Sequence, residues 1–160
     1  MQDKTEYIQR FNVARDEVRK LLPEIDPKME IYPGWTIKEM LAHLAGWDDA
    51  TILALEAFVA HLPPALPAIK GLDAYNAQTV EERAELNLEQ IIREWELVRE
   101  QLISVFGRLP TEMLGTNVVA PWGTTVTVEQ LINIMIEHEQ LHAEAIRERV
   151  ADPHNPPKNH

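Results

Sequence analysis

Two histidines four positions apart, His138 and His142 in the run HEQLHAEAI, are the residues of this sequence best suited to chemistry. At about 100° per residue they lie about 40° apart on a helix, on one stripe with Leu131, Ile134, Met135 and Ala145, so both imidazoles face a core. Two neutral imidazoles placed this way can give lone pairs to one cation at about 2.0–2.1 Å; the alternative is a pair of hydrogen-bonded core histidines. His43 shares its helical sector with Met40, Trp47, Ala50 and Ala54 and also points inward. Three buried imidazoles on two helices each carry a desolvation cost, and a shared divalent ion removes it while keeping coordination positions open for water or substrate. Gly46, Ala50 and Ala54 leave room beside His43. The residues expected to line the resulting pocket are Trp47, Asp48, Asp49, Ala50 and Met135, joined by Trp122 from a late loop. His61 reads as a solvated imidazole at a helix C-terminus. His154 and His160 read as exposed residues of a polar tail.

Four helices are expected to position these groups. Tyr7, Phe11, Ala14, Val18 and Leu21 recur at helical spacing from about Asp3 to Leu22, and Pro23 stops the run. Thr36 with Glu39 forms a capping box that opens a second helix, which runs to about Ala60 and ends in the prolines 63, 64 and 67. A long connection follows, Pro-rich and then mildly helical through DAYNAQTVEERAEL. Asn87 with Gln90 starts a third helix carrying Leu88, Ile91, Trp95, Val98, Leu102 and Phe106, with Gly107 as a left-handed cap. Residues 108 to 126 read as a helical turn and a loop or small hairpin, and Thr127 with Gln130 opens the fourth helix, which continues to about Val150. The expected fold is all-α: a four-helix bundle with a long crossover between helices 2 and 3, up-down-down-up. Residues 1–150 form one domain, and 151–160 form a frayed polar tail.

Composition narrows the function. The chain has 160 residues, 15 basic against 26 acidic, for a formal charge of −11. That balance repels phosphate backbones and anionic lipids, so neither nucleic acid nor a membrane surface is expected as a partner. No apolar run exceeds four residues, far short of a bilayer span, and a cytoplasmic location is expected. Without cysteine there is no disulfide, thiolate ligand or thiol nucleophile.

The segment WTIKEMLAHLAGW, followed about ninety residues later by HEQLHAEAI, resembles the DinB-like superfamily of four-helix metalloenzymes across nearly the whole chain. In that family a Trp-Ser/Thr start introduces the second helix, one histidine follows on it, and an H-x-x-x-H pair sits on the last helix. Here those positions are Trp35, Thr36, His43, His138 and His142. The resemblance implies that the three histidines ligate a divalent metal, zinc or nickel, at one end of the bundle. It also implies the chemistry of the family's branches: S-transfer from low-molecular-weight thiols, maleylpyruvate isomerisation with mycothiol, and the ClbS/DfsB-like proteins, one of which protects against a genotoxin. The segment DAYNAQTVEERAELNLEQIIREWELVREQL is most similar to the ClbS/DfsB-like branch.

HEQLH also spells the H-E-x-x-H zincin pattern, with Glu139 as its general base. A metalloprotease of this kind is the lesser alternative, because only 18 residues follow His142 and no substantial sheet is expected. Glu139 otherwise reads as a solvated member of an acidic patch with Glu137 and Glu144. The expectation is a metal-dependent enzyme acting on a small electrophile, either a transferase, for which the resemblance implies a low-molecular-weight thiol as cosubstrate, or a hydrolase using water. The rival is a non-catalytic binding or stress-protection protein, and a homodimer is a third arrangement that an exposed apolar helix face would allow.

Overall fold

The computed structural model describes residues 3–159, so His160 lies outside the described residues. Among the described residues five α-helices occur in chain order: α1 (Lys4–Leu21), α2 (Ile37–Val59), α3 (Leu72–Glu82), α4 (Leu88–Arg108) and α5 (Val128–Ala151). A two-stranded antiparallel hairpin, β1 (Asn117–Val119) with β2 (Thr125–Thr127), leads into α5, with Val118 paired to Val126. The four long helices are the four expected, and α3 lies in the crossover. No helix among the described residues is long and apolar enough to cross a membrane.

Local signals account for most boundaries. Asp3 accepts from the Glu6 amide at α1, and full capping boxes form at Thr36/Glu39, Asn87/Gln90 and Thr127/Gln130. The expected cap at Gly107 is different. Gly107 stays within α4, and termination comes from Leu109, held extended ahead of Pro110. Lys4 Nζ donates to the carbonyls of Gly107 and Leu109 at 2.8 and 2.6 Å, satisfying the end of the helix from α1.

Cross-helix pairs give the directions. Lys38 meets Ala84, Asp48 meets Arg99, and Glu56 and Phe58 share a cavity wall with Val105 and Arg108, so α2 and α4 ascend together. Tyr7 meets Glu129, Arg10 meets Asn133, and Glu17 meets Arg147, so α1 and α5 are likewise parallel. The bundle is therefore up-down-down-up, with the crossover allowing the parallel α2–α4 pair.

Gly46 is where α3 docks. A Cβ there would lie 2.2 Å from Thr79 Cγ2, and Tyr75 Oη donates to the Gly46 carbonyl at 2.8 Å. The space expected beside His43 at Gly46 is filled by α3, while Ala50 and Ala54 are buried packing residues. Two apolar cores result, one around Phe11, Leu55, Leu102 and Ile132, the other around Val18, Leu41, Trp95 and Ile146.

Candidate metal centre

Between the two cores lies a layer of buried charge. Arg15 of α1 and Arg99 of α4 face Asp48 of α2 and Glu139 of α5, all four nearly inaccessible to solvent. Arg15 Nε donates to Glu139 Oε1 at 2.6 Å, Arg99 Nε donates to Asp48 Oδ2 at 2.8 Å, and Arg99 Nη2 also reaches Glu139. The Arg15 guanidinium stacks 3.8 Å from the Trp95 ring centre, and Arg99 lies 4.6 Å from that of Phe11. Burial alone would raise the Glu139 pKa, but Arg99 and Arg15 together hold it below the usual carboxylate range. Apolar stripes tolerate axial slip, whereas two cations matched to two anions on four helices fit one register.

That register brings three histidines together on the same level. His43 and His142 are buried, and His138 keeps part of its ring open to a cavity. The Nε2 of His43 lies 2.8 Å from that of His138 and 3.1 Å from that of His142, and the last two are 2.9 Å apart. Tyr32 reaches His142 from the chain that precedes α2: its hydroxyl is 2.9 Å from Nδ1, in a turn closed by the Tyr32–Trp35 bridge and by Gly34 at φ 81°. The Trp35 ring packs against His43 at a tilt of 51°, with ring centres 5.0 Å apart.

Three Nε2 atoms this close cannot all carry a proton. With Nδ1 protonated instead, three lone pairs converge on one point, an arrangement that a cation stabilises. Burial pushes His138 down to about 4, with Glu139 opposing and Arg99 reinforcing the shift, so this imidazole is neutral at physiological pH. The trio could hold a metal ion.

The imidazoles open onto a cavity of about 700 Å³, whose walls include Trp47, Trp122, Ile134 and Met135, with Tyr32, Leu72, Asn76, Leu141 and Asn159 around them. Of the residues expected to line it, Trp47, Met135 and Trp122 do. Ala50 lies in the core; Asp48 and Glu139 lie in the charge layer behind the histidines. Asp49 turns toward α3 and accepts from Arg83 at 2.7 Å. The reading of Glu139 as solvated is thus corrected: it is fully buried, because it falls four residues from both Met135 and Ala143 and so sits on the buried stripe of α5. A zincin base requires this carboxylate at the substrate water, and both its oxygens are committed to arginines away from the cavity. His61 sits at φ 55° just after α2, and His154 is exposed.

Sequence reasoning missed Tyr32, Asn76 and the partners of the charge layer. Arg15 and Arg99 carried a readable signal, each standing four residues after a stripe aromatic, Phe11 and Trp95. Asn76 carried none: it matters because it accepts from Trp47 Nε1 at 2.7 Å, across a contact that only the α3 docking creates.

A helical bundle with a charge layer and three converging imidazoles at a pocket wall defines a class of possible metalloprotein. Residues 10–146 match the family model of the DinB superfamily, and the chain belongs to that superfamily. No curated protein sequence matches it. Among solved structures it is similar to DfsB, described as a sibling lethal factor precursor, at TM-score 0.81 and 18% identity, covering 98% of this chain and 99% of that one. It is similar to the colibactin self-resistance protein ClbS, solved with a double-stranded DNA, at TM-score 0.78 and 15% identity, covering 93% and 96%. The mycothiol-dependent maleylpyruvate isomerase aligns at TM-score 0.70 and 15% identity, over 91% of this chain but 63% of its own. At these identities the shared property is the fold. The DNA complex of ClbS overturns the exclusion of nucleic acid drawn from charge: −11 is a sum over the whole surface, whereas a duplex meets one face.

Proposed function

We propose that this chain is a divalent-metal-dependent enzyme in which His43, His138 and His142 hold zinc or nickel and a small electrophile reacts in the adjoining cavity. The observation that carries the reading is the approach of three Nε2 atoms to within 3.1 Å of one another at the wall of a cavity large enough for a small molecule. Imidazole donors suit these metals. When bound, such an ion supplies a Lewis acid that lowers the pKa of an incoming thiol or water.

The chain's own residues do the rest. Tyr32 Oη accepts from the Nδ1–H of His142, which fixes the ring and leaves its Nε2 lone pair toward the other two imidazoles. Trp47 and Trp122, whose ring centres are 6.0 Å apart, form an aromatic wall that excludes water beside His138. A low-molecular-weight thiol is the cosubstrate if the reaction is S-transfer; water takes that place if it is hydrolysis. Metal analysis of untagged protein, followed by a screen of thiols with electrophiles, tests this. About one ion per chain and turnover that disappears on chelation and returns on readdition are expected; protein that binds no ion ends the reading.

A second reading, protection in the neighbourhood of DNA, is favoured by the duplex-bound state of the similar ClbS. A labelled duplex titrated at about 50 and 200 mM salt should bind at the lower concentration and weaken steeply at the higher, and no binding at either removes this reading.

A further inference from the structure

The cavity beside the histidines is large, yet among the described residues its wall contains no arginine, lysine, aspartate or glutamate. The chain does not lack basic groups nearby; it uses them elsewhere. Arg15 and Arg99 are committed to Glu139 and Asp48 behind the histidines, and Arg83 to Asp49 and Glu94 on the far side of α2. The neighbouring cavity that shares Tyr32, Leu141 and Asn159 does hold Arg149 and Lys158. Arg149 donates to the carbonyls of Glu30 and Asn155, and Lys158 pairs with Glu148 at 3.2 Å. Three carboxylates, those of Glu144, Glu148 and Asp152, stand against these two cations there. The N-terminus of α3 opens at Leu72 on the rim, and Asp73 in its first turn already supplies the negative charge that the helix dipole favours.

The rim is apolar and wet. Leu141 is 65% exposed and Leu72 53%. Such surface gains from being covered, and an anion placed against it loses hydration with no cationic side chain to replace it.

We propose that the side chains of this cavity, apart from any metal held by the three histidines, select uncharged, largely apolar or aromatic molecules over those carrying a carboxylate, phosphate or sulfonate. This rests on the cavity being the substrate site of the proposed function, and it is tested without relying on the metal. N-phenyl-1-naphthylamine and 8-anilinonaphthalene-1-sulfonate are near-identical probes that differ by one anionic group. Each is titrated into metal-free protein and into protein given one equivalent of zinc, reading the probe's fluorescence and energy transfer from tryptophan. The neutral probe should half-saturate the metal-free protein at a concentration at least tenfold below that of the sulfonate. In Leu141→Lys, an exposed position whose substitution spares the core, that ratio should shift at least tenfold toward the sulfonate.

Sulfonate binding equal to or tighter than neutral binding in metal-free protein overturns the proposal, as does a ratio unchanged in Leu141→Lys. A neutral preference in protein that takes up no zinc supports this selectivity while the metal reading fails. Zinc uptake together with a sulfonate preference in the metal-free protein does the reverse.

Discussion

Arg15 Nε donates to Glu139 Oε1 at 2.6 Å, and this bond ties α1 to α5 one residue away from His138. Glu139 and His138 are neighbours in sequence that serve two faces of one helix about 100° apart: the first faces two guanidiniums in the core, the second faces a cavity. The glutamate therefore acts on the histidines through helix placement.

Glu139→Ala leaves two buried guanidiniums facing one carboxylate and should destabilise the protein by about 3–5 kcal/mol, measured by urea unfolding. Glu139→Gln keeps the shape and should retain metal while losing stability. A stable, metal-binding Glu139→Gln enzyme that has lost turnover would instead restore the base role suggested by HEQLH.

His138→Ala or His142→Ala should lower metal affinity by more than about 100-fold while far-UV circular dichroism stays helical, since both apolar cores form without the imidazoles. Tyr32→Phe removes the hydroxyl at His142 Nδ1 and should weaken metal binding by about 10- to 100-fold with little change in fold. Equal affinity in Tyr32→Phe and wild type would show that the hydroxyl does not orient the ring.

The metal-free protein should lose stability as pH falls. Burial keeps His138 neutral in the folded chain down to about 4, against 6.5 for the ordinary imidazole, so in that interval the unfolded chain binds more protons and lower pH favours it. The ring is partly open to the cavity, so the loss stays below about 3 kcal/mol. Glu139 adds in the same direction: its depressed pKa contributes stability above the ordinary carboxylate value, lost as pH drops through the folded one. Melting temperatures from neutral pH to pH 4 should fall, and His138→Asn should flatten the upper part of that curve.

Gly46→Ala should destabilise by about 1–3 kcal/mol, because its Cβ meets Thr79 Cγ2 at 2.2 Å and drives α3 away from α2. Since α3 carries Leu72 and Asn76 to the cavity, probe affinity should fall with it. Unchanged thermal unfolding would mean that α3 shifts freely.

The helices were legible because each of their starts carries its own chemistry: the hydroxyl or amide of Thr36, Asn87 and Thr127 pairs with a residue three positions on, within reach of local sequence. The inward histidines were legible for the same reason, as angular position on a helix is a local property. What Asp48 and Glu139 face was not, because a carboxylate beside the histidine stripe looks alike whether its partner is water or an arginine 51 or 124 positions away, and only the packing of four helices decides. The Gly46 contact failed for a related reason: a small residue marks a close approach without saying whether a ligand or Thr79 makes it.

The charge layer also divides labour. Its two guanidiniums and two carboxylates sum to zero, so loss of charge at any one of Arg15, Asp48, Arg99 or Glu139 strands a charge in the core, and each of these positions is tied to its partners. Leu72, Trp122, Ile134 and Leu141 face the cavity and belong to none of those pairs. The front wall can be rebuilt one side chain at a time while the back wall keeps the histidines in place, which makes this bundle a scaffold whose ligand preference can be reprogrammed without redesigning its interior.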